Sequence, residues 1–427
     1  MTADAPRRSN RFTRAFSSLK HRGYRWYFWS GMGMTASLGI EQLALAWLIL
    51  DLTDSVTQLG LIVFIRGVPM AILGLFGGVM ADRYNRRNLL MVNQAVTVVN
   101  MFLLGLLVVL DMVQLWHIYV SAIFLGVASS LTGPARQALI RSLVPAEDML
   151  NAVALNSMQQ NASRIIWPTI AGGLIAVAGT GPTFFACSVF SIIGIVFLVP
   201  IKDAPAETRP GVPRSPVGDL IEGVRYTFST PLLARVMTLL VIVGVFGLAV
   251  MQMAPGFARQ EMGFDSGETG LFMMASGVGA IVGSSLLLLL EVKNRILLFI
   301  LLNVGFGISV MLLALNPWAI AAFPAMALFG LFMTNNAVVA QTIFQIVVPQ
   351  HYLGRVVSLM MIAPALSALL TLPLGVIGDQ LGLRAGIAAL GALMFVSAAG
   401  LGAAGMLKYP LEPAVDPALP EGALSKA

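Results

Sequence analysis

The chain has few charged residues for its length. Asp, Glu, Lys and Arg make up only 11% of its 427 residues, and hydrophobic residues make up 57%. Water-soluble domains carry about 25% charged residues, so this composition argues against a soluble domain. The apolar residues occur in runs of roughly 20, long enough as helices to cross a hydrocarbon core of about 30 Å. The sequence therefore predicts a membrane protein with several spans.

Cysteine and histidine are also scarce. The single cysteine, Cys187, excludes an intrachain disulfide. The three histidines (His21, His117 and His351) lack the spacing of metal ligands, so we expect no metal and no cofactor. No Walker A sequence is present, which indicates that the chain does not hydrolyse ATP itself. The first apolar run is too long for a cleavable signal peptide.

Charges and turn residues divide the apolar sequence into twelve candidate spans. They run roughly over 27–50, 58–81, 88–110, 116–140, 152–177, 181–200, 232–256, 268–290, 296–315, 319–346, 355–378 and 384–407. The predicted fold class is an all-α membrane protein with twelve transmembrane helices in two six-helix halves.

The longest interruption, 201–231, separates the two predicted halves, 27–200 and 232–407. It begins as a proline-rich, charged linker, and its later part, DLIEGVRYTF, is typical of a short interfacial helix. A basic tail, 1–26, precedes the first half, and a second tail, 408–427, follows the other half.

The basic residues predict the orientation. Seven of the 26 Lys and Arg lie in the N-terminal tail and five in or just after the linker, whereas the opposite side has only Arg259 and Arg384. The positive-inside rule places both termini and the linker in the cytoplasm. We expect a multi-pass protein of the cell (inner) membrane. This placement explains the basic charge without nucleic acid as a partner.

One short loop is unusually charged. In "GGVMADRYNRRNLL" (77–90) an acid and three arginines separate two apolar runs. Asp82 ends a helix, where its charge opposes the helix dipole, so it needs an arginine or a helix N-terminus as partner. In the alternative interpretation, the arginines only set the topology. The predicted cytoplasmic gate comprises Gly78, Asp82, Arg83, Arg86 and Arg87.

This spacing resembles the cytoplasmic loop signature of the major facilitator superfamily. The resemblance implies that the loop locks two six-helix halves in the outward-open state, with Gly78 allowing close helix approach. Asn85 stands where the family usually has glycine, and asparagine tolerates a left-handed turn.

The resemblance covers essentially the whole chain. The segments 64–90, 133–173 and 347–360 ("VVPQHYLGRVVSLM") are similar to the branch that contains siderophore and macrolide exporters. It implies a monomeric secondary transporter in the lipid bilayer that exports a small organic solute such as a drug or siderophore, with protons as the coupling ion. Alternatives are an importer or uniporter of the same fold, a membrane enzyme, or a receptor that transports nothing. The spans contain no grouping of acids, histidines or nucleophiles that an enzyme would need.

Three ionisable residues lie deep within predicted spans, away from their ends. Glu41 and Arg66 are at nearly equal depth in spans 1 and 2, and Arg164 is near the middle of span 5. Such residues cost roughly 2.5–3.5 kcal/mol at a helix centre, so each calls for a partner or a polar cavity. The pair Glu41 and Arg66 has two interpretations, a structural ion pair or contact with substrate and protons.

Span 5 carries a polar stripe. Its members recur at three- and four-residue steps and share a helix face: Asn156, Ser157, Gln160, Asn161, Arg164 and Trp167. The stripe either lines a central cavity or provides interhelical hydrogen bonds, and the same alternatives apply to the amides of span 10. The predicted substrate and proton pathway comprises Glu41, Gln42, Arg66, Asn161, Arg164, Trp167, Asn335, Asn336 and Gln341.

Overall fold

The structure is a computed structural model that describes residues 17–83, 85–130, 132–201, 216–289, 294–360, 363–403 and 405–408. These residues form α-helices, three short 3-10 helices and connecting turns, with no strand in the described ranges. The predicted all-α membrane fold class is therefore confirmed.

The first seven helices lie before the linker. They are α1 (Arg22–Thr53), α2 (Val56–Arg83), α3 (Arg86–Val109), α4 (Leu115–Ser130), α5 (Thr132–Leu143), α6 (Met149–Ala178) and α7 (Thr180–Leu198). Two 3-10 helices, Ser17–Lys20 and Ala146–Asp148, precede α1 and α6.

One helix, α8 (Pro216–Ser229), lies within the linker. Seven helices come after it: α9 (Pro231–Met262), α10 (Ser266–Leu289), α11 (Arg295–Leu315), α12 (Ala319–Val347), α13 (Gln350–Met360), α14 (Ala363–Leu381) and α15 (Leu383–Ala403). A last 3-10 helix spans Met406–Lys408.

Ten described helices are long and apolar enough to cross a membrane, and the bent pair α4 and α5 makes up to eleven. Helix α6, with 30 residues, is long enough to be a further span. It is not among the ten because its polar residues lower its mean hydropathy. The number twelve thus stays a prediction.

The predicted span 116–140 is bent. Its parts Leu115–Ser130 and Ala135–Leu143 meet at an angle of 40°. Pro134 directly precedes the second part, and a proline has no N–H for the carbonyl four residues earlier and its ring clashes with that carbonyl. In span 355–378 the described helices are Gln350–Met360 and Ala363–Leu381, and residues 361 and 362 lie outside the described part.

The chain forms two compact units. The first comprises Met1–Leu45 and Ile72–Pro210, and the second comprises Ala46–Ala71 and Gly211–Ala427. The C-terminal end of α1 and the first part of α2 therefore belong to the second unit. The predicted division into 27–200 and 232–407 remains a prediction about sequence halves.

In the first unit, α1 and α6 are parallel and in constant register. The Tyr24 hydroxyl donates to the carbonyl of Ala152 (2.7 Å), and a Cβ on Gly39 would lie 2.6 Å from the Cβ of Trp167. Both pairs are 128 residues apart, so the helices stay aligned over about four turns. Serines connect α1 to α7, because Ser30 donates to the carbonyl of Gly194 (2.8 Å).

In the second unit, glycines bring helix backbones together. A Cβ on Gly279 of α10 would overlap the carbonyl oxygen of Ala327 in α12, and one on Gly330 would overlap that of Ser276. Small residues allow such close packing of membrane helices. The core of this unit is an apolar cluster that includes Leu233, Phe299 and Phe344.

Candidate functional site

Helix α6 presents a polar face in the middle of a membrane-length helix. Ser157, Gln160, Asn161 and Arg164 are all exposed, on an arc about 100° wide. Arg164 lies about 22 Å from either end of the helix. A guanidinium at that depth is costly in lipid, so this face needs water, protein or substrate against it.

Trp167 lies at the edge of this face rather than on it. Its side chain is 9% exposed, lies against Gly39 and contacts the ring of Phe190 at a centroid distance of 5.1 Å. The helical wheel puts Trp167 about 20° outside the exposed arc, and the lack of a side chain on Gly39 makes room for it. The indole N–H is buried without a hydrogen-bond partner among the described residues.

Glu41 and Gln42 of α1 have opposite environments. Glu41 is 2% exposed, one turn beyond Ser37, whose hydroxyl hydrogen-bonds to that of Ser191 (2.6 Å), whereas Gln42 is exposed. In the register of α1 and α6, Arg164 is level with Ala36, so Glu41 lies about 7.5 Å further along the bundle. The first unit thus holds an acid and an arginine at similar depth.

Arg66 belongs to the second unit. It is half-buried in α2, next to Gly67, where an added Cβ would overlap the side chain of Ala368 in α14. Pairing of Arg66 with Glu41 stays a prediction.

The amides of α12 are mostly buried. Asn335 and Asn336 are 3% and 0% exposed, and Gln341 is exposed. Asn335 donates to the carbonyl of Leu331 (2.9 Å). Both side-chain polar atoms of Asn336 are buried without a hydrogen-bond partner among the described residues. Buried amides of this kind are costly unless another state or water satisfies them.

The charged loop begins α3. Asn85 caps the helix by accepting from the backbone N–H of Asn88 (3.0 Å), with φ −61° and ψ 117°. Asn85 thus has the extended conformation of an N-cap residue rather than a left-handed one. Arg86 donates to the carbonyl of Ala138 in α5 (3.4 Å), and Arg87 is half-buried. The backbones of Gly78, Asp82 and Arg83 lie in α2, and the side chains of Asp82 and Arg83 are outside the described part.

A polar network at the predicted outer end was missed by the sequence analysis. The Asp379 carboxylate of α14 accepts from the backbone N–H groups of Val56 (2.9 Å) and Thr57 (3.0 Å). It also hydrogen-bonds to the hydroxyl of Ser55. One carboxylate therefore satisfies two of the free N–H groups at the start of α2.

Two arginines extend this network. Arg259 of α9 pairs with Asp51 and lies over the ring of Trp47 at 5.0 Å. Arg384 pairs with Glu261, with Nε and Oε2 2.9 Å apart. The charge count predicts Arg259 and Arg384 on the outer side. Each of them pairs with an acid at the same end of the spans. The sequence signal that could have predicted these pairs is the clustering of acidic residues at the same span ends.

The described residues contain no group of three His, Cys, Asp or Glu side chains that could hold a metal. The candidate residues of the first unit are amides, hydroxyls, one arginine and one buried acid, and those of the second unit are Arg66 and amides.

The comparisons with known proteins agree with this fold. Residues 13–412 match the MFS_3 family, described as transmembrane secretion effectors. The chain belongs to this family of major facilitator transporters, so it is a membrane transporter and not an enzyme. The resemblance read from the charged loop and the three quoted segments is confirmed.

Curated relatives are enterobactin exporters. The chain is 28% identical over 338 residues to that of Shigella boydii and 26% identical over 337 residues to that of Shigella flexneri, in each case covering 79% of this chain and 80% of the relative.

Solved structures share the fold at low identity. A POT family transporter in complex with 5-aminolevulinic acid superposes with a TM-score of 0.72 at 14% identity, covering 90% of this chain and 96% of that one. A bacterial homologue of the lysosomal transporter Spinster has a TM-score of 0.67 at 15% identity, with coverages of 90% and 98%.

Proposed function

We propose that the chain exports a small organic solute by alternating access, with protons as the coupling ion. The names of the curated relatives support export and a siderophore-type or similar solute. The observation that carries the proposal is the exposed polar face of α6, centred on Arg164. A guanidinium recognises carboxylate, phosphate and other anionic oxygens, so the favoured substrate has acidic oxygen groups.

Alternating access needs contacts that form in one state and break in another. The Asp379 hydrogen bonds and the Arg259–Asp51 pair are such contacts, because they are polar, partly exposed and at span ends. The buried amides of Asn335 and Asn336 fit the same proposal. Their unsatisfied groups would gain water or substrate in a state that exposes them.

Proton coupling is assigned to Glu41. It is buried next to a serine pair at a depth close to that of Arg164. A carboxyl whose surroundings alternate between dry and wet can release and take up one proton per cycle. Importer and uniporter modes of the same fold are the alternatives, and counterflow in vesicles separates the directions.

Transport by purified protein in proteoliposomes tests the proposal. Arg164→Gln should lose a charge-assisted contact of about 1.5–3 kcal/mol, roughly ten- to hundredfold in transport efficiency. Arg164→Lys should retain part of the activity. Met158→Ala, which changes an exposed apolar side chain off the polar face of α6, is the control. Wild-type transport by Arg164→Gln would remove Arg164 from the site.

Both termini are proposed to be cytoplasmic, in the inner membrane. Single cysteines at Ser9 and Ser215 should be protected from impermeant thiol reagents in intact cells, and one at Thr180 should react. Labelling at Ser215 from outside would reverse the orientation.

A further inference from the structure

Within the first unit, helices α1, α3 and α7 enclose a column of buried polar side chains. Its members are at most 6% exposed: Ser30, Ser37, Gln94, Thr97, Ser188 and Ser191. Hydrogen bonds link α7 to both of the other helices along this column. A hydroxyl group both donates and accepts hydrogen bonds, so the column can carry protons as well as hold the helices together.

Two levels of the column are fixed by contacts with α7. At the first, the Ser30 hydroxyl donates to the carbonyl of Gly194 (2.8 Å), and the amide nitrogen of Gln94 would lie 3.0 Å from a Cβ on the same glycine. At the second, the hydroxyls of Ser37 and Ser191 are hydrogen-bonded (2.6 Å). The column therefore extends about 10 Å along α1 from Ser30 to Ser37.

Helix α3 connects the two levels. Gln94 and Thr97 are three residues apart on its buried face. The Ser188 hydroxyl donates to the carbonyl of Val98 (3.3 Å), which puts Thr97 at the level of Ser188 and Ser191. All three helices thus supply a hydroxyl at the second level.

The side-chain amide of Gln94 points into this column. Its oxygen accepts a hydrogen bond from the half-buried Asn93 (3.3 Å), whereas its nitrogen is buried without a hydrogen-bond partner among the described residues. A buried N–H group is costly unless water or protein satisfies it. A buried water needs roughly two to four polar partners, and Gln94 and Ser30 face the same glycine. The amide therefore marks a site for water in the column.

Glu41 lies at one end of the column. It is one turn beyond Ser37 in α1 and is 2% exposed. At its level and beyond, the buried side chains of α3 and α7 are mainly apolar, and they include Met101, Leu104 and Phe184. The polar part of the seam therefore runs from Glu41 toward the N-terminal end of α1.

Few other ionisable residues lie on the helices around Glu41. In α7 the thiol of Cys187 hydrogen-bonds to the Ser37 hydroxyl (3.0 Å). Helix α6 contributes Arg164, and the sequence of α3 has no ionisable residue after Arg87. A proton that leaves Glu41 into this seam thus meets hydroxyls, an amide and a thiol rather than a second acid or a histidine.

We propose that the column is a proton path from Glu41 toward the end of the first unit at which α1 begins, the cytoplasmic end in the proposed orientation. The Glu41 carboxyl gives its proton to the Ser37 hydroxyl, Ser37 passes its own hydrogen to Ser191, and water at Gln94 accepts the next one. Each hydroxyl gains one hydrogen and releases one, so it is unchanged once it rotates back. Chains of polar side chains serve as proton relays in other membrane proteins. The role of the path in coupling rests on the proposed function of Glu41.

Hydrogen–deuterium exchange at Cys187 tests the path in the full-length protein in proteoliposomes, and it requires no solute. Cys187 is the single cysteine of the chain, so its S–H stretch gives one infrared band. That band is lost when heavy water delivers deuterons to the thiol. Because the sulfur is bonded to the Ser37 hydroxyl, the rate of loss reports how fast protons travel along the column.

Two variants of α3 should slow this exchange several-fold relative to the parent. Gln94→Met and Thr97→Val each remove a polar group from the column and keep a similar side-chain size. Asn100→Leu is the matched control, because Asn100 accepts a hydrogen bond from Ser121 of α4 on another face of α3. Exchange in this control should be as fast as in the parent. If Gln94→Met does not fold, Thr97→Val alone supports the comparison.

Two results would overturn the proposal. Exchange in Gln94→Met and Thr97→Val as fast as in the parent would show that deuterons reach the thiol by another route. An S–H band that persists in heavy water in the parent would show that the column is closed to protons. Either result, together with transport by Glu41→Gln that no longer responds to a pH gradient, would remove the path and leave Glu41 as the coupling residue.

Discussion

Asp379 Oδ1, near the end of α14, accepts a 2.9 Å hydrogen bond from the backbone N–H of Val56, the first residue of α2. The same carboxylate accepts from Thr57. A negative charge at a helix N-terminus is favourable. This contact therefore holds the end of α14 against the start of α2 without a basic side chain.

Asp379→Ala should weaken the contact between the end of α14 and the start of α2. The hydrogen bonds to a charged group contribute about 1.5–3 kcal/mol each, and their loss should shift the conformational equilibrium at least about tenfold. Double electron–electron resonance between labels at Leu52 and Leu381 should show a larger population of long distances. Asp54→Asn is the matched control because only the backbone carbonyl of Asp54 accepts from Gln260. An unchanged distance distribution in Asp379→Ala would show that these hydrogen bonds stabilise only the two helix ends and do not affect the conformational equilibrium.

Glu41→Gln should uncouple transport from the pH gradient. Glutamine keeps the size and hydrogen-bonding capacity of the side chain but cannot titrate. In proteoliposomes the variant should exchange substrate without energy yet fail to accumulate it when a pH gradient is imposed. Asp111→Asn, a change at an exposed turn with φ 55° that asparagine tolerates, is the control. Accumulation by Glu41→Gln equal to that of the parent would assign Glu41 a structural role.

Asp82→Asn should favour the inward-open state. Arg86 and Arg87 begin α3. In the predicted gate Asp82 and these arginines brace the outward-open state, so removal of the acidic charge should destabilise that state. A coupling of about 2–3 kcal/mol is enough for a large population shift. Distances between labels at Leu150 and Leu288 report the change, with Glu147→Gln as control. Normal distances and normal transport would leave the loop arginines as topology signals.

The start of α1 should loosen in acid. Hydrogen bonds from Ser17 and His21 hold the pKa of Asp148 below its ordinary value of 3.8. A lowered pKa means that this contact stabilises the fold above that value and is lost as the pH falls below it. A spin label at Lys20 should become more mobile in that acid range. In the Asp148→Asn variant the same label should be mobile already at neutral pH. Equal mobility of the label in Asp148→Asn and the parent at neutral pH would contradict this role.

The helices were predictable because each span is a long apolar run bounded by charge or turn residues. The bend between Leu115–Ser130 and Ala135–Leu143 was not, since prolines such as Pro168 and Pro255 lie inside continuous helices. Sequence spacing alone does not tell which prolines interrupt a helix.

The site was predictable only in part. The spacing correctly gathered Ser157, Gln160 and Arg164 on one face of α6, but the burial of Trp167 depends on the glycine opposite it in α1. The contact of Asp379 with Val56 joins residues more than 300 positions apart. No local pattern encodes such a contact.

The packed edge and the exposed arc of α6 should tolerate mutations to different degrees. At its packed edge, Trp167 lies against Gly39 with no space for a larger residue, whereas Ser157 and Asn161 project from the exposed arc. Substitutions on the arc can therefore accumulate with little cost in folding free energy, since surface changes usually alter it by less than about 0.5 kcal/mol. Because the proposed solute contacts lie on this arc, they could change during evolution while the scaffold stays the same.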